Sequence, residues 1–357
     1  MSSIPENNET RKIQFTGRST YILSLPKRWM SEMRLKAGDP VTIVREANNY
    51  LSIIPSVTRS SSTLDEAISN VLHTESSNTI KRKVISMYLA GYNVINLKAK
   101  TGRISPSQRD AVREVVRRNL VGTEIIADAS EIITIQVLLS IPELSINTAV
   151  RRMFLIASAM HRDAMLALAE LNYELAEAVI KSDDEVDRFS LYILRNLVIA
   201  TQNERILQEI GLKKSSDCLS YRVAVKSIER IADHASGIAD KCISIKEKID
   251  DQIIQRIDSM SKRSVALITD SVEAFLRRDY ALADSIVDKA NEMRSIENEV
   301  LTFIDNNESS STESNGINIK LILEDIRRTA EHASDIAEAA MNQTIRGVIE
   351  LNKNSGQ

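Results

Sequence analysis

Two stretches of this chain, about a hundred residues apart, superimpose without a gap, and nothing else in it limits the fold so tightly. Residues 223–243 read VAVKSIERIADHASGIADKCI and residues 323–340 read LEDIRRTAEHASDIAEAA. His332 falls on His234, Ala333 on Ala235, Ser334 on Ser236, Ile336 on Ile238 and Glu338 on Asp240. In the first copy Ala224, Ile228, Ile231, Ala235, Ile238 and Cys242 keep the spacing of one helix face. A repeat of this length is too long for a solenoid unit, and two copies of a helical bundle satisfy it.

A second stripe, Glu229, Asp233 and Asp240, lies about 100° round from that seam. Two carboxylates four apart on one helix repel when both are ionised. They make chemical sense with a cation between them, such as a hard metal ion that takes oxygen ligands. They also make sense as a solvated acidic flank relieved by Arg230 and Lys226. The helix by itself leaves both readings open.

The run Glu229-Arg-Ile-Ala-Asp233-His234 resembles the E/D-x-x-x-D signature of the PhoU family, whose members carry two three-helix bundles with such a signature in each. The second copy departs from it, with Arg327 where Glu229 stands and Glu331 where Asp233 stands. Asp183-Asp184-Glu185-Val186-Asp187 falls where PhoU proteins place another acidic cluster. The resemblance implies that antiparallel helices bring Asp183 and Asp187 opposite Glu229 and Asp233, and that these four hold a divalent or trivalent metal ion. The alternative is a metal-free acidic groove that docks a basic partner. In the second bundle Asp187 and Glu229 are replaced by Arg294 and Arg327, so Arg–carboxylate pairs, for instance Arg327 with Glu331, are expected in place of a metal. The expected helices are 148–171, 175–208 and the repeated stretch in a first bundle (147–249), then 252–278, 280–304 and 320–347 in a second (250–347). Residues 305–318 form a polar loop between the last two.

The N-terminal end is built differently. Ile13 and Phe15, then Tyr21, Leu23 and Leu25, alternate around a turn at Gly17. Pro26 suits the first position of a short helix, and two strands, 41–45 and 50–54, follow with a turn at Asn48-Asn49. Four short strands and one helical turn cannot bury much core, so the unit needs a partner chain. The Thr16-Gly17-Arg18-Ser19 loop, Leu25-Pro26-Lys27-Arg28-Trp29 and Leu35-Lys36-Ala37-Gly38-Asp39 resemble the AbrB/SpoVT swapped-hairpin DNA-binding domain. That resemblance implies an interleaved homodimer that lays basic loops on DNA, here over residues 1–57. Charge agrees. Between Arg11 and Arg45 eight Lys/Arg face only Glu32 and Asp39, a balance of +6 that leaves −9 for the rest of a chain whose net charge is −3. The DNA-binding candidates are Arg11, Lys12, Arg18, Lys27 and Arg28, chiefly as phosphate contacts. Trp29 is expected in the core.

Residues 57–63 read as a Ser-rich linker. Residues 64–145 read as a small α/β region of unassigned role: helix 64–72, helix 79–91, strand 94–97, a helix capped by Ser105-Pro106, then strands 124–127 and 132–139. Arg109, Arg113, Arg117 and Arg118 crowd its last helix, as a solvated face or an anion site. Archaeal proteins that pair AbrB-like and PhoU-like regions resemble the whole chain and carry a similar middle segment.

No apolar run approaches membrane-spanning length and the N-terminus carries no apolar signal region, so the chain reads as cytoplasmic. Cys218 and Cys242 make neither a disulfide framework nor a zinc site. Enzymatic chemistry finds no support. The positions three before His234 and His332 hold Ile231 and Thr329, not the Glu of a di-iron bundle, and there is no phosphate-binding glycine loop or nucleophile elbow. The resulting expectation is a multidomain, mainly α protein: a phosphate-responsive negative regulator of phosphate uptake that acts on DNA. An adaptor docking on a phosphate transporter's ATPase, with the N-terminal unit serving only to dimerise, is the alternative.

Overall fold

The computed structural model describes residues 9–17, 19–45, 50–55, 66–138, 145–307 and 313–349. The chain forms two compact units, residues 1–63 and 64–357. In the first, β1 (Gln14–Thr16) pairs antiparallel with β2 (Thr20–Ile22) around Gly17, whose φ of 66° suits a residue without Cβ. After Pro26 comes α1 (Lys27–Glu32), and then β3 (Val41–Arg45) pairs antiparallel with β4 (Leu51–Pro55). Among the described residues the two hairpins stay separate sheets. Several of their described apolar side chains are open to solvent, Phe15 at 59%, Ile43 at 64% and Tyr21 at 72% exposure, and Trp29 is half-buried where a core position was expected. The turn at Asn48-Asn49, the 57–63 linker and Arg18 lie outside the described residues.

The second unit opens with β5 (Glu66–Val71), α2 (Ser77–Leu89), β6 (Val94–Ala99), α3 (Pro106–Arg118), β7 (Thr123–Asp128) and β8 (Ile132–Val137). The strand order is β5-β6-β8-β7, with β5 parallel to β6 and the other pairs antiparallel. Residues 66–71 are thus a strand where the sequence suggested a helix. Asp65, Glu66 and Ala67 are helix-friendly, but Val71 alternates with exposed Ile68 and Asn70, and pairing along β6 overrides propensity. Ile80, Val84 and Tyr88 of α2 and Val112 and Val115 of α3 cover Ile95, Leu97, Ile133 and Ile135 of the sheet. Ser76 caps α2, and Ser105 with Gln108 forms a capping box on α3.

The helical body follows: α4 (Ile146–Glu170), α5 (Tyr173–Gln202), α6 (Glu204–Glu209), α7 (Asp217–Ser244), α8 (Asp251–Arg277), α9 (Tyr280–Asn307) and α10 (Glu313–Thr344), which ends in a 3-10 turn at Ile345–Gly347. The single helix expected over 175–208 is broken at Asn203, whose extended backbone lets its side chain accept from the Arg205 and Ile206 amides. The polar loop is shorter than expected, because α9 continues to Asn307 and α10 begins at Glu313. The internal repeat extends to these connections. Leu171 after α4 and Arg278 after α8 both adopt the left-handed conformation, with φ of 52° and 58°, and Tyr173 and Tyr280 start the next helices. Among the described residues no helix is long and apolar enough to cross a membrane.

The two parts of this unit are joined by one buried guanidinium. Arg195 of α5, only 5% exposed, donates to the carbonyl oxygens of Tyr88 and Gly91 (3.1 Å) and to Asn93 Oδ1 (2.8 Å), and stacks over the Tyr88 ring at 4.8 Å. It thereby adds a second donor to the Tyr88 carbonyl, which also accepts from the Gly91 amide at 3.1 Å, and supplies one to the Gly91 carbonyl beyond the end of α2. Ile199, one turn further, would lie 3.1 Å from any Cβ at Gly91. Replacing Arg195 with Ala removes the side-chain donor shared by the Tyr88 and Gly91 carbonyls and Asn93 and leaves a void against the Tyr88 ring, a loss of about 2–4 kcal/mol. The expected result is a melting temperature several degrees lower, with faster amide exchange over residues 88–93; an unchanged melt would contradict it.

Candidate functional site

The seam residues Ala224, Ile228, Ile231, Ala235 and Ile238 of α7 are buried, and Glu229 is left on the flank facing α5. Asp183 and Asp187 lie on α5, four apart and therefore on one face. The structure sets all four named carboxylates within one another's electrostatic reach. Burial, followed by the charge of Asp233 and then that of Asp187, pushes Asp183 up to about 7. Burial, followed by Glu229 and Asp233, pushes Asp187 up to about 6. Burial and Glu229 also raise Asp233. One oxygen of Asp183, Oδ1, is shielded from solvent and meets no hydrogen-bond donor.

Two further side chains complete the cluster. Ser190 Oγ, one turn beyond Asp187, donates to one oxygen of Glu229, and Lys226 Nζ donates to the other. Lys226 also favours the charged forms of Asp187 and Asp233. It is the group the acidic-flank reading named, and it carries that reading further than Arg230, which acts on Asp233 alone. Ser190 was not foreseen, although a hydroxyl one turn from the acidic run is a visible signal.

The donor set suits a hard cation. Among the described residues no three His, Cys, Asp or Glu side chains come together closely enough to hold a metal ion. Both oxygens of Glu229 are already engaged. Asp183, Asp187, Glu229 and Asp233, as they stand, form an acidic cluster closed by an internal ammonium.

The corresponding place in the second bundle inverts this pattern. Arg327, 9% exposed, replaces Glu229 and pairs with Glu331 of its own helix and with Glu297 of α9 at 2.7 Å. The Arg327–Glu331 pair anticipated from the sequence is present. Glu297, which was not anticipated, stands where Ser190 stands in the first bundle.

Of the basic N-terminal candidates, Arg11 pairs with Glu9 and Arg28 with Glu32 at 2.8 Å, while Lys12 and Lys27 are exposed. In the α/β region Arg109 and Arg113 converge on Asp128, at 2.5 and 2.6 Å, so that carboxylate already takes the place of an anion.

The family profile of the PhoU domain matches residues 150–242 and again 257–340, and that of the antidote-toxin recognition domain MazE, a bacterial antitoxin, matches residues 14–60. A phosphate-specific transport system accessory protein, PhoU homolog 1 of Thermotoga maritima, is 26% identical over 225 residues, 57% of this chain and 90% of the relative. A PhoU homolog of Aquifex aeolicus is 29% identical over 147 residues, 39% of this chain and 62% of the relative. Among solved structures, PhoU from Streptococcus pneumoniae aligns with a TM-score of 0.49 at 22% identity, over 58% of this chain and 96% of that one.

The raised carboxyls carry a signed pH dependence. A carboxyl with a higher pKa folded than unfolded takes up a proton on folding, so its contribution is most favourable below about pH 4 and is lost as pH rises through the folded value. Buried His161, held down to about 4, acts in the opposite sense between pH 6.5 and 4, so the cluster has to be isolated by difference. Asp183→Asn, which imitates the protonated group, should raise the melting temperature by roughly 2–4 °C at pH 8 and leave it unchanged at pH 4. An equal shift at both pH values would refute the assignment.

Proposed function

Since the helical body of this chain is two PhoU domains and its N-terminal unit is a MazE/AbrB-like antitoxin domain, we propose that it is a regulator of phosphate transport that acts in the cytoplasm as a DNA-binding homodimer. The observation that carries this reading is the state of the N-terminal unit. Among the described residues the two hairpins, with Phe15, Tyr21, Ile43 and Leu51 in solvent, gather no core of their own. Isolated two-stranded sheets are at best marginally stable in water, and a second copy of the same unit supplies the missing apolar surface.

Dimerisation also doubles the charge. The segment from Arg11 to Arg45 contributes +6 per chain, and a pair of such units presents a cationic surface to a polyanion. The relatives are named as accessory proteins of phosphate-specific transport systems. A regulator with its own DNA-binding arm acts on uptake genes directly, with no sensor kinase in between, and lowers their expression when phosphate is plentiful.

The adaptor reading has its own observation. Arg11 and Arg28 are paired within the chain, which subtracts from the charge available to phosphates and suits a unit kept for dimerisation alone. A body built of PhoU domains then docks on the transporter's ATPase.

Mobility shifts on promoter duplex at several salt concentrations separate the two. A regulator binds, and Lys27→Ala with Arg28→Ala removes up to four phosphate contacts per dimer, so the slope of log affinity against log salt becomes shallower by roughly 3–4. Sedimentation gives the dimer independently. No retardation of DNA by a dimeric protein that co-purifies with the ATPase would establish the adaptor.

A further inference from the structure

Superposing the repeat on the structure shows a charge exchange at three positions. Lys226 corresponds to Glu324, Glu229 to Arg327 and Asp187 to Arg294. Across the helix pair, Ser190 corresponds to Glu297 and Asp183 to buried Ala290. In both bundles the third helix supplies a cation that engages carboxylates at this level: Lys226 on Glu229, and Arg327 on Glu297, Glu331 and, at 3.8 Å, Glu324.

The two cations differ in kind. The guanidinium of Arg327 is held by three carboxylates with 11% of its side chain exposed, so it is a permanent part of its bundle. Lys226 is a compact ammonium on a flexible stem, 42% exposed, with one carboxylate in hydrogen-bond contact and two more, Asp187 and Asp233, within its field. A divalent ion entering the first bundle has to expel that ammonium, draw Glu229 away from Ser190 and gather donors that stand too far apart.

We propose that Lys226 is a tethered counter-ion that keeps the Asp183–Asp187–Glu229–Asp233 cluster closed to divalent cations, the mobile counterpart of Arg327 in the second bundle. Its removal frees one oxygen of Glu229 and lets the four carboxylates draw in around an oxygen-seeking divalent ion. The inference is independent of DNA binding and of the phosphate reading, because it concerns only which cation occupies one place between α5 and α7.

Equilibrium dialysis of the full-length chain against Mn²⁺ and Mg²⁺ tests it. Wild type is expected to show no saturable uptake at micromolar Mn²⁺. Lys226→Gln should bind at least about tenfold more tightly than wild type, Lys226→Arg should stay closed because it keeps the charge, and adding Asp187→Asn to Lys226→Gln should abolish the gain. Micromolar Mn²⁺ binding by wild type overturns the proposal without any variant, and so does a Lys226→Gln protein, folded by circular dichroism, that binds no better than wild type.

Discussion

The antiparallel packing of α7 on α10 is the contact on which the rest of the second unit depends. Both helices are rich in buried Ala and Ile, with Ala224, Ile228, Ala235 and Ile238 on α7 and Ile326, Ala330, Ala333 and Ala337 on α10. The polar part of the contact is asymmetric where the repeat would predict symmetry. Asp325 reaches across to His234 (3.0 Å) and Lys241 (2.8 Å), a place it can occupy because the facing residue is Gly237, where a Cβ would stand 3.2 Å from its carboxylate. At the related position Asp335 replaces Gly237, accepts from His332 at 3.0 Å and lies 3.5 Å from Ser227, the counterpart of Asp325. Between these two arrangements the rings of His234 and His332 stack 5.4 Å apart. The repeated histidines are thus fixed by carboxylates in a bundle–bundle contact, a structural use that their spacing does not distinguish from a ligand.

With the bundles held in this way, each must neutralise the groups its second and third helices bring face to face. The first does so with Lys226, a serine hydroxyl and raised carboxyls, the second with a buried guanidinium among glutamates. Opposite charge patterns on one backbone plan follow from a simple requirement. A half-buried site between two helices tolerates little uncompensated charge, and either helix can supply the compensation.

What could be read in advance followed from periodicity. The long helices carry a clear 3.6-residue apolar pattern, and the strands of 94–99, 123–128 and 132–137 are rich in Val, Ile and Thr, so both announce themselves. Edge strand β5 does not, because Glu66, Ala67, Ser69 and Asn70 have weak strand preference and only pairing with β6 gives them that form. The break at Asn203 depends on a side-chain cap that local pattern cannot separate from a continuing helix. The convergence of Asp183 and Asp187 on Glu229 and Asp233 came from family resemblance, whereas the engagement of Glu229 by Lys226 and Ser190 required coordinates. Arg195 did leave a trace: a lone guanidinium in the otherwise apolar run SLYILRNLVIA has to find acceptors somewhere.

Those acceptors place the acidic cluster and the α/β region on one helix. Asp187 and Arg195 are eight residues apart on α5, about 12 Å along its axis. At one end the helix meets α7 through Ser190 and Glu229; at the other it closes α2 through Arg195 and packs Ile199 against Gly91. The contacts at both places are made by one uninterrupted stretch of helix, so the Ser190–Glu229 bond and the Arg195 anchor share a single backbone. The α/β region therefore rests on the same element that carries the charged site.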